Sequence, residues 1–315
     1  VARKRVTNLV TAGIVAILIA AALIAVVLLR RGGSQSATPS GPSSSTGPVL
    51  AVKIDNVAEA RPATGLGSAD IVYVEPVEGG LTRVLAVFSG GRPPVIGPVR
   101  SARETDYDVL AQFGKPVFAY SGAAPPVVQA LHAPPLSDRI VNASPAEAPA
   151  AFVRDDSRAA PHNLFVHTGN LPTSDGPAPE AVYARGAAPA GGTPATSFTA
   201  KFPAASYEFR WSDGKWLVWA DGKPYTSTES GQLGASTVIV QKVAVHQTSY
   251  PEDAQSPTAP VAETIGSGTA TVLRDGQSFA ADWSRTQAGS GTTFTTTGGQ
   301  PLPVADGPVW VLLTP

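Results

Sequence analysis

The chain has 315 residues, with 23 basic and 24 acidic side chains and a formal net charge of −1, so it lacks the basic surplus of a dedicated nucleic-acid binder. Hydrophobic residues make up 43%, enough for packed cores and too many for a wholly disordered chain. There is no cysteine, which excludes disulfides, a thiol nucleophile, thiolate metal sites and a thioether lipid anchor within this sequence.

Val6 to Leu29 carry no charge. As a helix rising about 1.5 Å per residue, this run spans roughly 36 Å, sufficient for a hydrocarbon core of about 30 Å. Arg3, Lys4 and Arg5 precede it, and Arg30 and Arg31 follow. The basic excess on the N-terminal side predicts a single-pass anchor with a cytoplasmic stub over 1–31, and export of everything beyond. A cleaved signal peptide is the competing reading. Its apolar core is usually about 7–15 residues long, and a small-residue cleavage site would stand where Arg30 and Arg31 do. Gly32–Pro48 (GGSQSATPSGPSSSTGP) has no apolar residues to pack and reads as a flexible tether over 32–48.

From Val49 the pattern becomes that of a folded protein. VLAVKI (Val49–Ile54), ADIVYVE (Ala69–Glu75), RVLAVF (Arg83–Phe88) and PVFAYS (Pro116–Ser121) are short apolar runs bounded by turn residues, which predicts strands. Glu78-Gly79-Gly80 predicts a tight turn joining two of them. Helices are predicted over Glu104–Phe113, from the spacing of Tyr107, Leu110 and Ala111, and over Pro125–His132, where proline occupies the first turn. Strands interleaved with helices predict an α/β region with a mixed sheet over 49–175. Residues 176–198 are rich in Ala, Gly and Pro and read as a linker.

Beyond this, SYEFRW (Ser206–Trp211), KWLVWA (Lys215–Ala220), STVIVQKVAV (Ser236–Val245), GTATVLR (Gly268–Arg274), QSFAADWS (Gln277–Ser284), GTTFTTT (Gly291–Thr297) and PVWVLLT (Pro308–Thr314) are strand candidates. They are punctuated by turns at Ser212-Asp213-Gly214, Asp275-Gly276 and Gly298-Gly299. A β-rich domain is predicted over 199–315, giving an overall α+β, or mixed α/β, class. Core packing accounts best for the five tryptophans in this region, against a stacking platform for sugars. Trp211 and Trp216, flanking a turn, are predicted to pair across strands.

Charged and polar residues cluster in Ile54–Arg103 beyond the needs of packing. Asp55 and Asn56 end one strand; Glu75, Glu78 and Arg83 bracket the turn between the next two; Arg100 and Arg103 flank Ser101 before a helix. The segments VKIDN, ARPATGL, ADIVYVEPVEGGLTR, IGPVRSARE and PHNLFV (Pro161–Val166), with IGSGTATVLRDG (Ile265–Gly276) and the closing GPVWVLLTP, resemble the YerB-like lipoprotein family, a bacterial domain of unknown function (3048). The resemblance runs over essentially all of Val49–Pro315. It implies an extracytoplasmic protein with an N-terminal α/β part and a C-terminal β part, and it assigns no catalytic residues. Members often carry a lipidated cysteine; here the apolar run stands in its place.

The residues themselves predict an anion site. Ser101-Ala102-Arg103-Glu104 fits a capping box, a role that explains Ser101 better than nucleophilic attack. Arg100 and Arg103 at a helix entrance can hold a phosphate or carboxylate, or pair internally with Asp55, Glu75 or Glu78. Glu75 and Glu78 could serve as an acid–base pair for a glycosidase or lyase, with His162 nearby, but neighbouring arginines are expected to keep both ionised. His162 and Asn163 follow a polar segment and are added to the ligand-binding set. The four histidines have no metal-ligand spacing, and no phosphate-binding glycine motif occurs, so neither metal nor cofactor is expected. The expectation is a membrane-anchored cell-envelope binding or accessory protein whose cleft of Asp55, Asn56, Glu75, Glu78, Arg83, Arg100, Ser101, Arg103, His162 and Asn163 takes an anionic or sugar-bearing ligand, such as a cell-wall component. A hydrolase or lyase acting on a wall polymer through Glu75 and Glu78 is the alternative.

Overall fold

The computed structural model describes residues 49–174, 182–251 and 257–315. The apolar run and the tether of residues 1–48 lie outside them, as do residues 176–181 of the expected linker. Among the described residues no helix is long and apolar enough to cross a membrane.

Three of the apolar runs build the centre. β1 (Leu50–Ile54), β2 (Ile71–Pro76) and β3 (Thr82–Phe88) are antiparallel in the order β2-β3-β1, with Tyr73 opposite Leu85 and Leu85 opposite Lys53. All three are buried along their whole length. Strands covered on both faces need no polar alternation, which is why they read as continuous apolar stretches. Gly79 and Gly80 take φ of 67° and 72° in the β2–β3 turn, a region that a Cβ disfavours.

Around this centre lie β4 (Val95–Ile96), β5 (Val117–Ala119), β6 (Val141–Ala143), β7 (Phe152–Arg154) and β8 (Leu164–His167). β5 and β6 extend the sheet beside β1 in parallel, while β4, β8 and β7 make a separate small sheet. The helices are short: α1 (Thr105–Leu110), continued by a 3-10 turn to Phe113, α2 (Pro125–Leu131) and α3 (Leu136–Arg139). Both helices predicted from the sequence are present, each a residue or more shorter.

The second half is almost wholly strand. β9 (Thr193–Pro194) is followed by β10 (Ser197–Phe202), β11 (Ala205–Ser212) and β12 (Lys215–Ala220), an antiparallel meander. β13 (Lys223–Pro224) and β16 (Gly234–Ala235) pair with β12, and β14 (Thr226–Ser227) pairs with β15 (Gly231–Gln232). β17 (Thr237–Lys242) precedes the hairpin of β18 (Val245–Pro251) and β19 (Thr258–Ala262). β20 (Gly266–Arg274) and β21 (Gln277–Arg285) form a long hairpin about the Asp275-Gly276 turn, whose φ of 51° and 69° suit those residues. β22 (Thr293–Thr296) and β23 (Val309–Thr314) complete the chain.

β23 inserts between β17 and β2, parallel to both, with Ile71 opposite Val309 and Val74 opposite Leu312. Strands from both halves therefore form one mixed sheet in the order β22-β21-β20-β17-β23-β2-β3-β1-β5-β6, with β9 on β21. Thr193 and Pro194 pair with β21 of this sheet, and Tyr183 and Tyr73 share a hydroxyl–hydroxyl hydrogen bond of 2.9 Å. One face of the sheet packs Val52, Val74 and Val84 against Phe209, Trp216 and Tyr225 of the meander region. The other packs Ala51, Tyr73 and Leu85 against Leu110, Phe113, Val127 and Leu131 of the helical layer. The result is three layers sharing two cores.

Trp216, Trp283 and Trp310 are core residues. Trp211 stands directly opposite Trp216, with ring centroids 5.3 Å apart, the cross-strand pair predicted from the turn.

Candidate functional site

The charged residues gather at one end of the central sheet because β1 and β2 finish there and β3 begins there. Side chains alternate along a strand. Lys53 and Asp55 accordingly leave one face of the β1 end, and Ile54 and Asn56 the other. In register, Glu75 is opposite Arg83, and Lys53 is opposite Leu85. Lys53, Asp55, Glu75 and Arg83 thus share the face covered by the helical layer.

Lys53, fully buried, lies between two carboxylates: Nζ donates to Glu75 Oε2 and, at 2.7 Å, to Asp106 Oδ1. Asp106 Oδ2 accepts the Arg103 backbone N–H at 2.7 Å. One ammonium does not compensate two buried carboxylates. Burial, and then the charge of Asp106, raise the Glu75 pKa to about 8 despite Lys53. Glu75 Oε1 is buried without a hydrogen-bond partner.

Glu78 has a different environment. Arg103 grips it with two parallel hydrogen bonds, Nε to Oε1 at 2.7 Å and Nη2 to Oε2 at 2.9 Å. Partial burial pushes this carboxyl upward, but the Arg103 hydrogen bonds and charge outweigh it and hold the pKa below the usual value. The expectation that arginines keep both glutamates ionised therefore holds for Glu78 and fails for Glu75, whose cation is a lysine shared with Asp106. Glu75 also has no accessible surface.

Asp55 Oδ2 is the hub of the outer part. His162 Nδ1 lies 2.7 Å from it and Arg100 Nε 3.2 Å. The Arg100 contact is an ion pair without hydrogen-bond geometry, for Nε has no acceptor. Arg103 is 3% exposed at its side chain, whereas Arg100 retains 23% and His162 20%. Arg83 is the cation left over. Its Nη1 is buried and has no acceptor. Burial, followed by the charges of Arg103 and Arg100, lowers its pKa to about 10 against the pull of Glu78 and Asp55.

Asn56 faces away from this group. Its amide donates to Thr82 Oγ1 at 2.8 Å and to the Tyr207 hydroxyl, and its Oδ1 has no partner. Asn56, Thr82 and His162 line a cavity of about 410 Å³ together with Arg61, Leu81, Ala204, Ala205 and Asp221. His162 belongs to both groups, since its ring joins the cavity wall to Asp55.

Two predicted residues lie elsewhere. Asn163 Oδ1 accepts from Arg154 Nη1 at 2.6 Å, a contact within its own segment. The Ser101 capping box is not formed: α1 starts at Thr105 without a side-chain cap, and Glu104 instead accepts from the Tyr250 hydroxyl. Asp106, inside the helix, accepts the Arg103 backbone N–H just ahead of the first turn. With only six residues, α1 adds little dipole to the site.

Lys53, Asp106, Arg61, Tyr207 and Asp221 were not singled out from the sequence. Lys53 carried one legible signal, a lone lysine inside an otherwise apolar run, which demands a buried counter-charge. Arg61 and Asp221 pair across 160 residues of chain, which no local pattern records.

Two family profiles match this chain, described as "Protein of unknown function (DUF3048) N-terminal domain", over residues 36–178, and its C-terminal domain, over residues 196–311. The chain belongs to the DUF3048 family. One DUF3048 relative is "Putative lipoprotein YerB" of Bacillus subtilis (strain 168), 42% identical over 76 residues. That match takes in 24% of this chain and 23% of the relative's length. The crystal structure of the YerB protein from Bacillus subtilis is similar in fold, with a TM-score of 0.70, 20% sequence identity, and coverage of 88% of this chain and 93% of that one.

Proposed function

We propose that this DUF3048 protein is a membrane-anchored extracytoplasmic binding or accessory protein of the cell envelope, and that the Asp55–Arg83–Arg100–His162 end of its central sheet receives an anionic group. The observation that carries the reading is Arg83. A guanidinium N–H buried with no acceptor costs free energy until an acceptor completes it, and an anion does so best. Burial, followed by the charges of Arg103 and Arg100, lowers the Arg83 pKa to about 10 against the pull of Glu78 and Asp55. Arg100, with Nε beside Asp55 and its side chain partly exposed, is the open member that can turn to a ligand. Arg103 is a support, since both prongs of its guanidinium are taken by Glu78. The apolar run Val6–Leu29 and the relative named as a lipoprotein support an envelope location.

Titration calorimetry of the full chain with inorganic phosphate tests this. Saturable binding that weakens at least about tenfold in Arg100→Ala, with the variant still folded by circular dichroism, is expected. Equal binding by both proteins would contradict it.

A further inference from the structure

The cavity that His162 lines has a composition that a bare anion does not explain. Its polar members supply both donors and acceptors. Asn56 is 2% exposed, and its Oδ1 has no partner. Arg61 Nε is likewise buried without an acceptor, while the rest of that guanidinium is fixed by the Ala220 carbonyl at 3.1 Å and by Asp221 at 2.8 Å. With Nδ1 bound to Asp55, His162 keeps Nε2 as a second polar edge. The lining also includes the aliphatic Leu81, Ala204 and Ala205 and the carboxylates of Glu59 and Asp221. A lining that mixes hydrogen-bonding and aliphatic side chains matches a saccharide, whose rings carry hydroxyls at the rim and C–H groups on the faces. At about 410 Å³ the cavity falls in the range of roughly 300–1,000 Å³ typical of small-molecule sites.

His162 connects this cavity to the anion site. Its ring lines the cavity, and its Nδ1 binds the same Asp55 oxygen that Arg100 faces. We infer that the ligand is an acidic sugar unit, with its ring in the Asn56–Arg61–Thr82–His162 cavity and its phosphate or carboxylate on Arg100 and Arg83. The inference rests on the anion-binding reading and adds the identity of the group that carries the anion.

The test is calorimetry of the full chain with four probes: inorganic phosphate, glucose, glucose 6-phosphate and glucuronic acid. The two acidic sugars, which separate a phosphate source of charge from a carboxylate one, are compared with their neutral and free-anion parts. At least one acidic sugar is expected to bind about tenfold or more tightly than both phosphate and glucose, as one or two additional hydrogen bonds would give. Ala204→Trp, at an exposed position on the cavity wall, is expected to remove that advantage and leave phosphate binding intact. His162→Ala should remove it as well. Phosphate binding as tight as both acidic sugars, or an Ala204→Trp variant that keeps the advantage, overturns the sugar inference while the anion site stands. No binding of any probe overturns both.

Discussion

Arg103 and Glu78, 25 residues apart, meet in a two-pronged ion pair at 2.7 and 2.9 Å that clamps the β2–β3 turn onto the segment entering α1. The arginine side chain is 3% exposed and the glutamate 12%. Removing one partner of such a pair strands the other charge in a poorly solvated site.

Arg103→Ala should therefore lower stability by about 3 kcal/mol, the lower end of the range for broken buried pairs. Arg103→Lys should recover only part of this, since an ammonium cannot make both parallel bonds. Urea unfolding followed by tryptophan fluorescence measures both. A loss under about 1 kcal/mol for Arg103→Ala would show that the clamp contributes no more than a surface pair.

Stability should depend on pH in two opposing ways. The Glu78 pKa is depressed in the fold, so its contribution is present above the ordinary value of 4.5 and is lost as pH falls through the lowered value. The Glu75 pKa is raised to about 8, so the folded protein holds a proton that the unfolded chain releases near 4.5. That contribution is lost as pH rises from about 4.5 to about 8. A stability maximum near about pH 5 follows. Glu75→Gln, which fixes the neutral form, should flatten the decline between pH 5 and 8. An unchanged slope in denaturation midpoints over that interval would exclude a neutral Glu75.

The tryptophan pair differs sharply between its members. Trp216 is fully buried in the core between sheets, so Trp216→Ala should cost about 3–5 kcal/mol. Trp211 is only half-buried, and Trp211→Ala should cost about 1 kcal/mol, mainly the ring contact. Thermal unfolding separates the two, and equal costs would contradict the assignment of Trp216 to the core.

Much of the framework was legible because it is written locally. The runs at Leu50, Ile71 and Thr82 are each largely apolar over a strand's length, Gly79-Gly80 marks the β2–β3 turn, and Asp275-Gly276 marks the β20–β21 hairpin. Asp55, Glu78 and Arg83 read as strand-end residues and Arg100 and Arg103 as residues of a helix entrance, and the fold pairs Arg100 with Asp55 and Arg103 with Glu78. What sequence could not supply is recorded only in space. β23 reaches β2 across more than two hundred residues. Tyr207 meets Asn56 and Thr82 from another sheet. Ser101 does not cap α1 because the helix starts later, at Thr105, and Glu104 is drawn to the Tyr250 hydroxyl, whereas the pattern Ser-x-x-Glu is satisfied by many segments. Glu75 was misjudged because the cation beside it is Lys53, hidden within an apolar strand, and that cation is shared.

The central claim is that Arg83 is kept, at a cost to the fold, for a ligand. Arg83→Met retains the side-chain volume and removes a guanidinium whose Nη1 has no acceptor and whose neighbours include two other arginines. Phosphate titration and urea unfolding of this one variant, side by side with the parent, test the claim directly. Phosphate affinity reduced about tenfold or more, with stability unchanged or raised by about 1 kcal/mol, is the predicted result. A destabilised variant that binds phosphate as well as the parent would contradict it.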